Sequence, residues 1–268
     1  MLDRGKLKVA GVLVDGVDYE ASIKRIITSA KASKPLSVSA LAVHGVMTGA
    51  LNKTHRYRLN QLSLVVPDGQ PVRWALNLLY GARLPDRVYG PTLMLKTCEA
   101  AEKSELPIFL FGSDNDTLQA LKQNLVTTYP NLVIAGVRSS RFRRLSATES
   151  QDLVDEIKGS NAKICFVGLG CPRQETFVYE ICHSLNMPTI AVGAAFAFHA
   201  GLLSQAPAWM QKRGLEWFYR FCKEPTRLWK RYAFLNPLYL TLVALQLLKV
   251  YEIDSDDTVM PTTDTRYG

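Results

Sequence analysis

Two hydrophobic rhythms alternate along most of this chain. Short runs rich in β-branched and aromatic residues are separated by stretches in which apolar positions recur every three or four residues. The pattern predicts strands over 8–14, 37–44, 62–66, 108–111, 132–137, 162–167 and 189–192, and helices over 19–32, 46–58, 71–80, 92–103, 117–128, 147–158 and 173–185. Strand–helix alternation of this kind predicts an α/β protein with a doubly wound, mainly parallel, Rossmann-like sheet covered by helices on both faces. No internal repeat is visible. After about Gly201 the strands stop and only helical segments remain, with Pro207, Pro225 and Pro237 each expected near a helix start. The expected organisation is an α/β catalytic domain over 1–200, a basic and aromatic helical appendage over 201–250, and a disordered acidic tail over 251–268.

Composition narrows the class. A chain of 268 residues, 47% of them hydrophobic, can bury one large core. A mean hydropathy of 0.00 argues against an integral membrane protein. The longest late apolar run, 238–248, is interrupted by Thr241 and Gln246 and falls short of the ~20 residues that span a bilayer. The opening MLDRGKLKVAGV lacks the apolar stretch of a signal peptide, so a cytoplasmic chain is expected. Cys98, Cys165, Cys171, Cys182 and Cys222 are odd in number and form no CxxC pair, which predicts neither a disulfide framework nor a zinc site.

Charge is placed unevenly within a net +8: between Lys212 and Arg231 seven basic residues accompany only Glu216 and Glu224. Trp209, Trp217, Phe218, Phe221, Trp229 and Tyr232 are interleaved with them. Amphipathic rings beside cations suit a membrane interface carrying anionic headgroups. The same tract also fits nucleic acid, or a solvated basic helix face packed by its tryptophans. Arg213, Arg220 and Arg227 recur every seven residues and would approximate one stripe if the segment were a continuous helix.

Candidate chemistry gathers at predicted strand ends, where open parallel sheets bind ligands. Strand 62–66 runs into Pro67-Asp68-Gly69-Gln70. A carboxylate there can act as a general base, although on spacing alone a turn with Asp68 capping the next helix is the simpler reading. Gly168-Leu169-Gly170-Cys171-Pro172-Arg173 is half of a dinucleotide fingerprint, with Arg173 where the third glycine would stand. It places Gln174 and Glu175 at a helix start facing the crevice, Glu175 serving equally well as a partner of the helix dipole. Asp114-Asn115-Asp116 has the form of a metal-holding DxD, but a helix cap explains it fully. His44 ends a strand and can face the crevice; His55 lies on a polar helix, and no two histidines have metal-ligand spacing.

Taken in order, VVPDGQPVRWA with DRVYGPTLM, FVGLGCPRQE, VGAAFAFHAG and the Ala206–Tyr232 tract resemble the WecG/TagA/CpsF family of bacterial glycosyltransferases, over about Val9 to Tyr239. The resemblance implies an inverting, metal-independent hexosyltransferase without a cofactor. Its donor would be a UDP-sugar and its acceptor a saccharide on undecaprenyl diphosphate, in exopolysaccharide or other cell-surface polysaccharide synthesis. It would sit peripherally on the cytoplasmic face of the inner membrane, bind no nucleic acid, and have homo-oligomerisation open to it. By motif, Asp68 becomes the expected base. Arg87 and Gln174 become expected substrate contacts, and Arg213, Arg220, Arg227 and Arg231 would meet membrane and lipid diphosphate; His44, Gln70, Gly112, Gly168, Glu175 and Gly193, near predicted strand ends and helix starts, are expected to bind substrate beside them. The chain departs from the family at Ala42, at Ala197 in Phe196-Ala197, and at Gln205 in Gln205-Ala206-Pro207, positions that bear on donor choice.

Overall fold

The computed structural model describes residues 1–268, except the side chains at 227, 230 and 231. The chain opens with β1 (Asp3–Val9) and β2 (Val12–Val17), an antiparallel hairpin forming its own two-stranded sheet. A single strand over 8–14 was expected; the apolar run KVAGVLV hides a turn, with Ala10 and Gly11 both at positive φ (48° and 83°). The main sheet has six parallel strands in the order β4-β3-β8-β7-β5-β6. They are β3 (Leu36–Leu41), β4 (Leu64–Pro67), β5 (Ile108–Gly112), β6 (Ile134–Arg138), β7 (Ile164–Gly168) and β8 (Pro188–Ala191).

Period-two burial divides the core into two layers. Leu64 and Val66, with Ile164 and Phe166, face one side, while Val65, Cys165 and Val167 face the other. The first side is covered by α1 (Tyr19–Lys31), α5 (Gly90–Lys103), α6 (Asn115–Thr128) and α9 (Ala195–His199). The second is covered by α2 (Val43–Leu51), α3 (Lys53–Gln61), α4 (Gln70–Tyr80), α7 (Ala147–Gly159) and α8 (Arg173–Leu185). One helix was expected over 46–58. Asn52 splits it, leaving helical geometry (φ −131°, ψ 107°) and capping α3 by accepting from the His55 amide at 2.8 Å. The edge of β4 is closed by the buried Asp15 of β2, which accepts from the Val65 amide at 2.7 Å and pairs with Arg25 at 3.2 Å.

Beyond the sheet come α10 (Ala208–Lys212), α11 (Glu216–Lys223) and α12 (Pro225–Leu247). Pro207 and Pro225 stand at helix starts as expected, but Pro237 lies inside α12. Arg213, Arg220 and Arg227 therefore belong to three successive pieces of chain, and the single-helix stripe does not form. α12 turns back onto the α/β domain. Tyr239 is buried with its hydroxyl donating to Pro71 O at 3.0 Å. Gln246 accepts from the Ala10 amide at 3.1 Å and donates to Lys8 O at 2.9 Å, locking the hairpin turn. The 251–268 segment has little regular structure and runs along α3 and α8, where Glu180 accepts from the Thr265 and Arg266 amides at 2.8 and 3.0 Å.

Candidate active site

A cleft of about 780 Å³ opens at the carboxyl ends of β3, β4, β7 and β8, the position that open parallel sheets offer to ligands. Its floor is made by residues 40–45, 68–71, 168–171 and 192–195, and its opposite wall by 213–217, Arg220, Tyr232 and the middle of α12. The sheet domain and the appendage thus each supply one side. Gly214 lets the wall come close: its φ is +71°, and a Cβ there would stand 2.6 Å from the Trp74 ring.

Asp68 follows the last residue of β4. It does not cap α4, whose N-cap is Gly69 with no side-chain bond; the turn-and-cap reading of Pro-Asp-Gly is set aside. Instead Oδ1 accepts from the Gly90 amide at 2.7 Å, at the start of α5. Burial in the cleft floor pushes this carboxyl up to about 6, with Arg87, the Gly90 amide and Arg220 pulling against it and Glu216 adding to it. A carboxylate with its midpoint near neutrality is suited to accept a proton from a hydroxyl.

Arg87 is buried and bridges the two halves. One guanidinium nitrogen pairs with Glu216 at the start of α11, another donates to Gln211 Oε1 at 3.2 Å, and the group stacks 4.1 Å from the Tyr89 ring centroid. Gln70 lines the cleft, but its amide is engaged: it donates to Asp86 Oδ1 at 2.8 Å and accepts from Arg73 at 3.1 Å. Asp86 also accepts from the Arg87 amide. Gln70 therefore braces the loop that carries Arg87.

On the β7 side, Gln174 Oε1 accepts from the Gly170 amide at 3.1 Å, and its Nε2 donates to Glu175 Oε1 at 2.9 Å. Ser39 Oγ donates to the same oxygen at 3.3 Å. Burial pushes the Glu175 carboxyl up against the pull of Gln174, the Cys171 thiol and Ser39, and its Oε2 meets no hydrogen-bond partner of ordinary geometry. Gly193 (φ +55°) sits close enough to Gln174 that a Cβ would be 3.4 Å from the amide. His44 and Gly168 line the cleft; Gly112 does not, its tight approach to Gly168 being a packing contact between β5 and β7. Asp114 is the N-cap of α6, accepting from the Thr117 amide at 2.8 Å.

Of the basic tract, Arg213 and Arg220 reach the cleft wall, while the expected contacts of Arg227 and Arg231 lie outside the described residues. Among the departures, Ala42 lines the cleft. Sequence reasoning missed Glu216 and Gln211 as partners of Arg87. Both stand in the motifs quoted for the appendage, where Glu216 counted only against the basic charge. His55, expected on a polar helix, is buried, and burial beside Arg58 pushes it down to about 4, so its imidazole is neutral.

The profile of the family described as "Glycosyl transferase WecG/TagA/CpsF family" matches residues 7–252. A Bacillus subtilis (strain 168) protein named N-acetylglucosaminyldiphosphoundecaprenol N-acetyl-beta-D-mannosaminyltransferase is 30% identical over 186 residues, covering 69% of this chain and 70% of its own length. A protein of the same name from Bacillus spizizenii (strain ATCC 23059 / NRRL B-14472 / W23) is 25% identical over 193 residues, covering 72% of each.

Proposed function

Since the chain belongs to the WecG/TagA/CpsF family of glycosyl transferases, we propose that it moves a hexose or N-acetylhexosamine from a UDP-sugar to a saccharide on undecaprenyl diphosphate, with inversion. N-acetylmannosamine is the first donor sugar to test, because both relatives carry it in their names. The observation that carries the reading is Asp68, a carboxyl with a raised midpoint on the cleft floor, within electrostatic reach of Arg87 and Arg220.

In the transfer step the acceptor hydroxyl oxygen forms a bond to C1 of the donor sugar as the bond from C1 to the β-phosphate oxygen breaks. Asp68 takes the hydroxyl proton and UDP leaves with the bonding electrons. The negative charge that builds on the leaving diphosphate is met by arginine and by the positive end of the α8 dipole, an electrostatic role that needs no metal. Arg213 and Arg220 on the appendage wall suit the acceptor's own diphosphate. No helix among the described residues is long and apolar enough to cross a membrane. Exposed Trp209, Phe218, Trp229 and Phe234 on α10–α12 supply the face that we assign to the membrane surface.

The test is a panel of UDP-sugars offered with an N-acetylglucosaminyl-diphosphate lipid, with and without chelator. One sugar is expected to reach the lipid with stoichiometric UDP release, undiminished by chelator, and Asp68→Asn should cut turnover about 10²–10⁴-fold. Near-normal transfer by that variant removes Asp68 as the base. Failure of every UDP-sugar to reach the lipid refutes the assignment of donor and acceptor.

A further inference from the structure

Three side chains from separate pieces of the chain converge behind the Gly168 turn. His55 comes from α3, Cys171 from the turn, and Glu175 from the first coil of α8, and their ligating atoms all lie within 4.8 Å of one another. His55 and Glu175 are 5% and 1% exposed. Each presents a buried polar atom with no hydrogen-bond partner, His55 Nε2 and Glu175 Oε2. The Cys171 thiol lies against the Glu175 carboxyl, but native interiors rarely leave two such atoms in one place unmatched, and a cation between the three groups would satisfy both.

We propose that His55, Cys171 and Glu175 form a binding site for a divalent transition metal of the zinc type, with three protein ligands and a fourth position toward the cleft. The donor set is one imidazole nitrogen, one thiol and one carboxylate. It suits zinc and its neighbours rather than magnesium or calcium, which take oxygen ligands. Zinc–ligand bonds of about 2.0–2.3 Å place tetrahedral ligands about 3.3–3.8 Å apart, so the cluster closes on an ion with movements of about 1 Å. Cys171, on a turn rather than inside a helix, is free of the constraint that α3 and α8 place on the other two. Cys171 and Glu175 both line the cleft, which gives an ion its way in. The nearby Arg58 is paired with Glu180 at 3.8 Å, which tempers its repulsion.

The ion takes no part in sugar transfer as proposed above, and its binding does not depend on that reading. It ties α3 to α8 through the turn. It also shares Glu175 with Gln174, whose amide holds Gly170, so a loaded site stiffens the turn beside the donor cleft.

The test uses the full, untagged chain, stripped with chelator and titrated with Zn²⁺ by calorimetry and with Co²⁺ by absorption. One equivalent should bind, with a thiolate-to-cobalt charge-transfer band, and the melting temperature should rise with Zn²⁺ concentration. Cys171→Ser should abolish the band and weaken Zn²⁺ binding at least about tenfold, and His55→Gln should weaken it similarly. The half-exposed Cys171 makes its variant the safer of the two for folding, and the cobalt spectrum of the unaltered chain needs no variant. Absence of stoichiometric binding, a cobalt complex without the thiolate band, or binding unchanged in both variants each overturns the site, leaving a bridging water or a surface histidine as the explanation.

Discussion

At the scale of the residue, Asp68, the proposed base, shows how burial holds a carboxylate in an unfavourable state. Its folded midpoint of about 6 lies above the ordinary 3.8. The stability tied to its proton is therefore fully present below pH ~3.8 and lost as pH rises through about 6. Asp68→Asn should leave stability nearly unchanged at pH 3.5 and raise it by about 1–3 kcal/mol at pH 7.5, read as a gap between the two melting curves that opens between pH 4 and 6. The unaltered enzyme should lose transfer on the acid side with a midpoint near pH 6, because the protonated carboxyl cannot accept the acceptor's proton. An acid limb near pH 4 would place Asp68 in a more solvated setting than the cleft floor described. From spacing alone Asp68 was legible only as a strand-end carboxylate, and the family resemblance made it the expected base. The environment that qualifies it, Gly90 on one side and Arg87 held by Glu216 on the other, comes from residues 19 to 148 positions away.

At the scale of the element, the strand and helix pattern was readable because period-two and period-3.6 apolar runs are local signals. The breaks were not. Asn52 looks like any polar helix residue until its side chain is seen to cap α3, and Ala10-Gly11 lacks the Asn or Asp that usually marks a tight hairpin. Gln246 read as an interruption in an apolar run; it is the residue that fastens α12 to that hairpin. Gln246→Leu strands the Ala10 amide, while Lys8 O keeps the Tyr80 hydroxyl at 2.7 Å, and should cost about 1–3 kcal/mol in denaturant unfolding. A neutral effect would mean that water replaces the amide. The His55–Cys171–Glu175 cluster escaped notice for a related reason. Ligand spacing rules read neighbours along a chain, and only Cys171 and Glu175 are neighbours in that sense.

At the scale of the whole molecule, the appendage has an apolar outer face and an inner face that completes the cleft. Replacing Trp209, Phe218 and Phe234 together by serine should weaken binding to anionic vesicles about tenfold or more, while leaving transfer to a short, water-soluble acceptor largely intact; undiminished vesicle binding in a sedimentation assay would move the membrane face elsewhere. Because one wall of the cleft comes from residues after 200 and the Asp68 carboxyl comes from the floor opposite, the two halves are made at different times. A chain emerging from the ribosome acquires the β4 end and Asp68 well before Glu216, Arg220 and Tyr239. Until α12 docks on the hairpin turn and α4, the unfinished protein holds a proton acceptor open to solvent with nothing opposite it. Synthesis from the amino end thus leaves the cleft one-sided until the residues of α12 have been made and have docked.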